Sequence, residues 1–217
     1  MINNIFKERK ESEFEKKYNF ITHFFGLILS LIGVSILIYN SLDFDNSSLK
    51  NLICSLVYGS SLIFMYLSSS LYHYLIDTKY SNVLQKLDHV SIYFLIAGSY
   101  TPPIVIYLNT EVGENILLVI WFMAIIGTLH KIFFFNLYKN LSLVFYLIMG
   151  WLIIIEFQNI LIYFSEYQVN LMVLGGLLYT FGAAFYSFNN LKYNHVIWHI
   201  FVLLASASHF LLIMSIV

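Results

Sequence analysis

The stretch YNHVIWHIFVLLASASHFLLIMSIV, residues 193–217, runs 25 positions without an Asp, Glu, Lys or Arg. About 20 predominantly apolar residues suffice for a helix to cross the ~30 Å hydrocarbon core of a bilayer, so this stretch reads as a membrane span. The rest of the chain has the same character. Of 217 residues, 59% are hydrophobic, 18% are aromatic and only 11% are charged. A soluble domain is roughly 45–50% apolar and about 25% charged, so this chain has too few charges to coat a globule of its size. Its single cysteine, Cys54, lies inside an apolar run and excludes an intrachain disulfide framework. The net charge of −1 supplies no basic face to neutralise a phosphate backbone, which excludes nucleic-acid binding by counterion release.

Residues 18–42, 51–76, 89–110 and 167–191 are equally free of these charged types and read as four more spans. Residues 115–165 are too long for one span and are interrupted by Lys131, Lys139 and Glu156. They divide into two helices, near 115–135 and 140–164, joined by a basic turn. The expectation is an all-α integral membrane bundle of seven helices, residues 18–217, preceded by a charged segment, residues 1–17. The first apolar run exceeds the roughly 7–15 residues of a signal-peptide core and is expected to be retained.

Seven crossings make the connecting segments alternate sides. Lys7, Arg9, Lys10, Lys16, Lys17, Lys79, Lys86, Lys131, Lys139 and Lys192 then fall on one side, leaving Lys50 on the other with Asp43, Asp45, Glu111, Glu114 and Glu166. Basic residues concentrate in cytoplasmic loops, which predicts a cytoplasmic N-terminus and an external C-terminus. Six or eight spans would scramble the segregation. The adjacent Pro102 and Pro103 are expected to bend or end the third span near its outer end. Gly26 with Gly33, and Gly175 and Gly176 with Gly182, are small residues suited to helix contacts.

Ionisable residues in a span are costly and mark candidate sites. At ~1.5 Å per residue, Ser69 and His73 close the second span at the inner face, Asp88 and His89 open the third, and His195 and His199 open the seventh. Asn19, Thr22 and His23 open the first, at the same depth. His195 and His199 are four residues apart, so both rings project from one helix face, close enough to ligate one ion. His73 would complete a three-histidine set, the kind that catalytic zinc sites use with one open position. Asp88, at the same level, is placed to hydrogen-bond a water on that ion, and Ser69 to orient His73 or meet a substrate oxygen. Three neutral imidazoles, a divalent ion, one carboxylate and a hydroxide sum to zero, which a low-dielectric site tolerates better than an unpaired Asp88. The competing reading is that each residue caps a helix end at headgroup level.

The remaining polar residues point elsewhere. His23 shares a stripe with Glu15 and Asn19 and suggests a hydrogen-bonding seam. His89 is ~100° around its helix from Asp88 and should face away. His130 beside Lys131 reads as interfacial. His209 lies ~15 Å beyond His199, too far to share an ion. Glu156 is open to three readings: a proton-carrying group, a partner for His209, or a residue near a shortened helix end.

The pattern Glu15-x3-Asn19-x2-Thr22-His23-x2-Gly26, then Ser69-x3-His73 within SSSLYH, then Asp88 leading to AGSYTPP, then His195-x3-His199 with His209, resembles the hemolysin III family. That family lies within the progestin and adipoQ receptor group, which includes the adiponectin receptors. The resemblance runs from about Glu15 to the end of the chain. It implies a zinc ion held near the cytoplasmic side by His73, His195 and His199, with Asp88 acting through the metal-bound water and Ser69 one turn before the first ligand. Alkaline ceramidases in the wider superfamily hydrolyse lipid amides. The family name reflects a cytolytic phenotype of one member, and Glu156 stands outside the family pattern.

Two functions are therefore expected in competition. The first is a zinc-dependent membrane hydrolase of a lipid amide or ester, with Asp88 and Ser69 catalytic and membrane lipid as substrate. The second is a receptor-like or pore-forming protein in which zinc is structural. No span shows the continuous polar stripe of a channel. A multi-pass protein of a bacterial plasma membrane is expected; its substrate and oligomeric state are left open.

Overall fold

With no water in the bilayer core, every backbone polar group of a spanning segment must be satisfied internally, and the helix does this within one segment. The computed structural model, which describes residues 11–42, 49–135, 139–188 and 190–217, is built accordingly. Seven stretches are long and apolar enough to cross a membrane. The elements are α1 (Glu13–Ser41), α2 (Leu49–Tyr74), α3 (Ser81–Pro102), α4 (Glu111–Phe133), α5 (Lys139–Trp151), α6 (Phe157–Tyr163), α7 (Glu166–Ser187) and α8 (Asn194–Met214). Helices α5 and α6, joined by a tight 3-10 segment at Leu152–Glu156, make a single broken span. Lys7, Arg9, Lys10, Asp43 and Asp45, which entered the charge segregation, lie outside the described residues.

Local chemistry sets the ends. Ser12 and Glu15 form a reciprocal capping box that starts α1 ahead of Tyr18, and Ser165 with Gln168 does the same for α7. Thr110 Oγ1 accepts the Gly113 amide to start α4. Pro102 closes α3, and Pro103–Tyr107 continues it as one wide π-helical turn whose Pro103 carbonyl accepts from the Leu108 amide. The third span thus ends in altered helix at the prolines, as their sequence position predicts.

The distribution of polarity is reversed from that of a soluble protein. On α1 the buried residues are Glu15, Asn19, His23, Gly26, Ser30, Val34, Leu37 and Ser41, a stripe at helical spacing that is mostly polar up to Ser30 and then apolar at Val34 and Leu37. Phe14, Phe25 and Ile32 are exposed on its other faces. The lipid-facing surface is apolar, and the interior collects the groups that need partners. Helix α1 packs on α2 and α8, α2 on α3, α3 on α4, and α7 on α8. The glycines serve these contacts, as their sequence positions suggest. Gly26 lies under the Tyr66 ring of α2, Gly33 under Phe210 of α8, Gly175 under His209 and Gly182 under Trp198. Each admits a large side chain from a neighbouring helix; they do not pair with one another.

Candidate metal centre

The starts of α1 and α8 and the ends of α2 and α3 that bear Ser69, His73 and Asp88 meet at one end of the bundle, where Lys16, Lys86 and Lys131 also lie. His73 of α2 and His195 and His199 of α8 each offer a ring nitrogen, and these atoms lie within 4.8 Å of one another. Ring centroids are 4.8 Å apart for His73 and His195, 4.9 Å for His73 and His199, and 4.6 Å for His195 and His199. His73 is 3% exposed and His199 is 1% exposed.

The hydrogen bonds fix which nitrogens are free. The Asn19 carbonyl lies 3.1 Å from His199 Nδ1 and can only accept, so Nδ1 carries the proton and Nε2 keeps its lone pair. Thr22 Oγ1, anchored on the Tyr18 and Asn19 carbonyls, stands 3.1 Å from the same Nδ1. His195 Nδ1 donates to Glu11 Oε1 at 2.8 Å, which leaves its Nε2 free in the same way. The other oxygen of Glu11 accepts from Asn19 Nδ2 at 3.2 Å. Metal-ligating histidines are held like this, one nitrogen on a carboxylate or carbonyl and the other on the ion. Both nitrogens of His73 are buried without a hydrogen-bond partner, and an orphaned buried imidazole nitrogen costs free energy that a cation would recover. The donor set therefore fits a divalent ion. The 4.8 Å spread is wider than the roughly 4 Å that two nitrogens on one ion allow, so an ion held by all three would need the rings to sit closer.

Backbone geometry at the start of α8 supports the pair. Tyr193 is left-handed (φ 62), and its amide donates to Glu15 Oε1 at 2.7 Å. Glu15 also accepts from Ser12. A buried carboxylate of α1 thus holds the turn from which His195 and His199 project.

Asp88 is 9% exposed and Ser69 is 1% exposed; both line a cavity of about 660 Å³ that is also lined by His195 and His199. Ser69 lies beside Asp88; among the described residues its Oγ has no hydrogen bond to His73, so of the two roles expected for it the orientation of His73 is not formed. The expected seam of the Glu15, Asn19 and His23 stripe forms through Glu15, which accepts from Tyr193, and Asn19, which accepts from His199; His23 takes no part in it, since among the described residues both its nitrogens lack partners and its ring lies flat on His199. His89 rests its ring on Phe135 at 5.2 Å yet lines the same cavity, so it turns only partly away. His209 lines the far end of that cavity and approaches the Met172 carbonyl.

Glu156 sits in the 3-10 break of the fifth span, 2% exposed. It accepts from Thr110 Oγ1 at 2.8 Å and from Asn159 Nδ2 at 2.6 Å. It is partnered at the opposite end of the bundle, and its bonds are to Thr110 and Asn159 instead of His209. Glu11 is the residue that sequence reasoning missed. The signal was present: Glu11, Glu15, Asn19 and His23 are each four residues apart, so the stripe extends one step further toward the N-terminus.

Residues 13–210 match the family described as Haemolysin-III related. The chain is 39% identical over 196 residues to Hemolysin-3 of Bacillus cereus, covering 90% of this chain and 89% of that protein. It is 36% identical over 196 residues to the Hemolysin-3 homolog of Bacillus subtilis, covering 90% and 91%. To the human Monocyte to macrophage differentiation factor it is 28% identical over 211 residues, covering 93% and 84%.

Proposed function

We propose a function from the premise that this chain, a multi-pass cell-membrane protein, belongs to the Haemolysin-III related family, within the progestin and adipoQ receptor superfamily: it is a zinc-dependent hydrolase of a lipid amide or ester. The observation that carries the reading is a three-histidine cluster, His73 and His199 buried and His195 half-buried, of which His195 and His199 line a cavity that also holds an acid and a hydroxyl. Held by His73, His195 and His199, a zinc ion would supply Lewis-acid polarisation of a carbonyl and a water acidic enough to attack near neutral pH.

The chain's own residues do the rest. Asp88 accepts the proton of the attacking water and returns it to the leaving nitrogen or oxygen. Water oxygen bonds to the acyl carbon, the carbon–heteroatom bond breaks, and a fatty acid and an amine or alcohol result. Ser69 Oγ, buried in the cavity wall beside Asp88, donates to the carbonyl oxygen as charge develops there. Glu11 and the Asn19 carbonyl hold His195 and His199 in the ligating tautomer. The apolar depth of the cavity, between Leu95, Ile96, Leu147 and Val202, takes the acyl chain. In this reading the metal end of the bundle faces the cytoplasm, because the basic residues gather there, and the C-terminus lies outside.

The test is zinc content in purified wild type and in His73→Ala and His199→Ala, with fatty-acid release measured on a panel of lipid amides and esters. Stoichiometric zinc in wild type, lost in both variants, with release that Asp88→Asn abolishes, is the expected outcome. Wild type without zinc overturns the metal centre. Zinc with no release on any lipid moves the function to a receptor-like or pore-forming protein with a structural ion.

A further inference from the structure

The cavity that starts at the histidines does not end among apolar side chains alone. About 15 Å further along α8, at 1.5 Å per residue from His199, it reaches His209, where Tyr100, Gly150, Trp151 and Gly176 also line it. These five residues and Ser99 also line a second hollow of about 120 Å³ whose remaining lining is apolar. The two spaces therefore meet at a neck.

Trp151 is the largest side chain that lines both spaces. Its indole Nε1 donates to Thr180 Oγ1 at 3.0 Å, and its six-membered ring covers the bare face of Gly176, where an added Cβ would touch it at 3.5 Å. Opposite conditions hold at Gly150, where an added Cβ would meet nothing within 4 Å. The backbone here is also held. Tyr100 Oη shares its proton between the Met149 and Gly150 carbonyls and accepts the Ile153 amide, which pins the point where α5 gives way to the 3-10 segment. The neck is thus built from a tethered indole on a pinned backbone.

Its depth matches a lipid. Half of a ~30 Å hydrocarbon core, the share of one leaflet's chains, is about 15 Å, the same as the distance along α8 from His199 to the neck. We propose that the Trp151 indole is an end-stop that sets the length of acyl chain the cavity holds, with Gly176 and Gly150 as its fixed and open sides. This inference rests on the lipid-hydrolase reading above for the presence of an acyl chain. Chains ending at the indole fill the larger space; longer ones must displace the indole or turn aside, which costs contacts as any overfilled core does.

The experiment is native mass spectrometry of the purified full chain after equilibration with an equimolar mixture of saturated fatty acids from decanoate to eicosanoate. Wild type is expected to show rising occupancy with length up to a maximum and a fall of about tenfold beyond it, the penalty of overpacking. Trp151→Ala should shift the maximum to longer chains by joining the two hollows. Gly150→Leu should shift it to shorter chains by filling the open side of the neck. Opposite shifts in two variants cannot both come from a damaged fold. A maximum that stays put in both variants overturns the end-stop while leaving acyl binding intact. Absence of any bound fatty acid in wild type overturns acyl binding and the end-stop together.

Discussion

The imidazole of His23 lies flat on that of His199, with ring centroids 3.5 Å apart and planes 16° from parallel. Its edge meets the Tyr66 ring at 5.3 Å, and Tyr66 Oη is hydrogen-bonded to Ser206 Oγ. His23 therefore acts as a packed wall that fixes the plane of a candidate ligand. His23→Phe should keep zinc stoichiometry near wild type, because a flat ring is retained. His23→Ala should lower unfolding stability by about 2–4 kcal/mol, as truncation of a large buried side chain does. Metal analysis and thermal unfolding in detergent read the two effects, and loss of zinc in His23→Phe would make His23 a ligand.

Glu11 reaches His195 from outside the helices, so its loss should loosen the ion without unfolding the bundle. Glu11→Ala is expected to weaken zinc affinity about 10–100-fold, the usual effect of removing a group that orients a ligating histidine. Competition with a fluorescent chelator measures it. Unchanged affinity would mean that the Glu11 contact does not tune the site.

Glu15 holds the amide of left-handed Tyr193 at the start of α8. Glu15→Ala leaves that amide and the Ser12 cap without their acceptor and should cost about 1–3 kcal/mol. Zinc affinity should fall with it, because the same turn sets where His195 and His199 begin. Thermal unfolding and chelator competition on one preparation check both. A stability loss with full zinc affinity would show that the α8 start is positioned by other contacts.

Tyr100→Phe removes the hydroxyl that serves two carbonyls and one amide at the break in the fifth span. With little water available there, the loss should be about 1–3 kcal/mol. Zinc content should not change, since the break lies far along the bundle from the histidines. Denaturant unfolding in mixed micelles gives the number.

Glu156→Gln should leave both zinc content and fatty-acid release at wild-type levels. The carboxylate is engaged by Thr110 and Asn159, and Thr110 in turn caps α4, so its role is to tie that end of the bundle. A large fall in release with zinc retained would instead place Glu156 in the reaction.

Much of this protein was legible residue by residue. Hydrophobic length and charge exclusion are properties of single segments, so the seven spans and the pairing of His195 with His199 on one face follow from the helix repeat alone. The sequence also located Ser69, His73 and Asp88 at the same depth, because depth too is counted along one helix. Glu11 was overlooked because it precedes the apolar run, although it continues the four-residue stripe of Glu15, Asn19 and His23.

What a single helix cannot specify is its rotation and distance relative to its neighbours. Those depend on which side chains interlock: Tyr66 over Gly26, His209 over Gly175, Trp198 over Gly182. Only that packing decided that His73 comes close to His195 and His199 and that, in the seam that Glu15 and Asn19 make with α8, His23 stacks instead of hydrogen-bonding. It also put Glu156 with Thr110 and set Trp151 across Gly176. The sequence by itself determined a seven-helix membrane bundle with His73, Asp88, His195 and His199 near one end, since 1.5 Å and ~100° per residue fix everything within a helix. The tertiary structure decided which of those residues touch, because contact between helices is a matter of volumes filled in three dimensions.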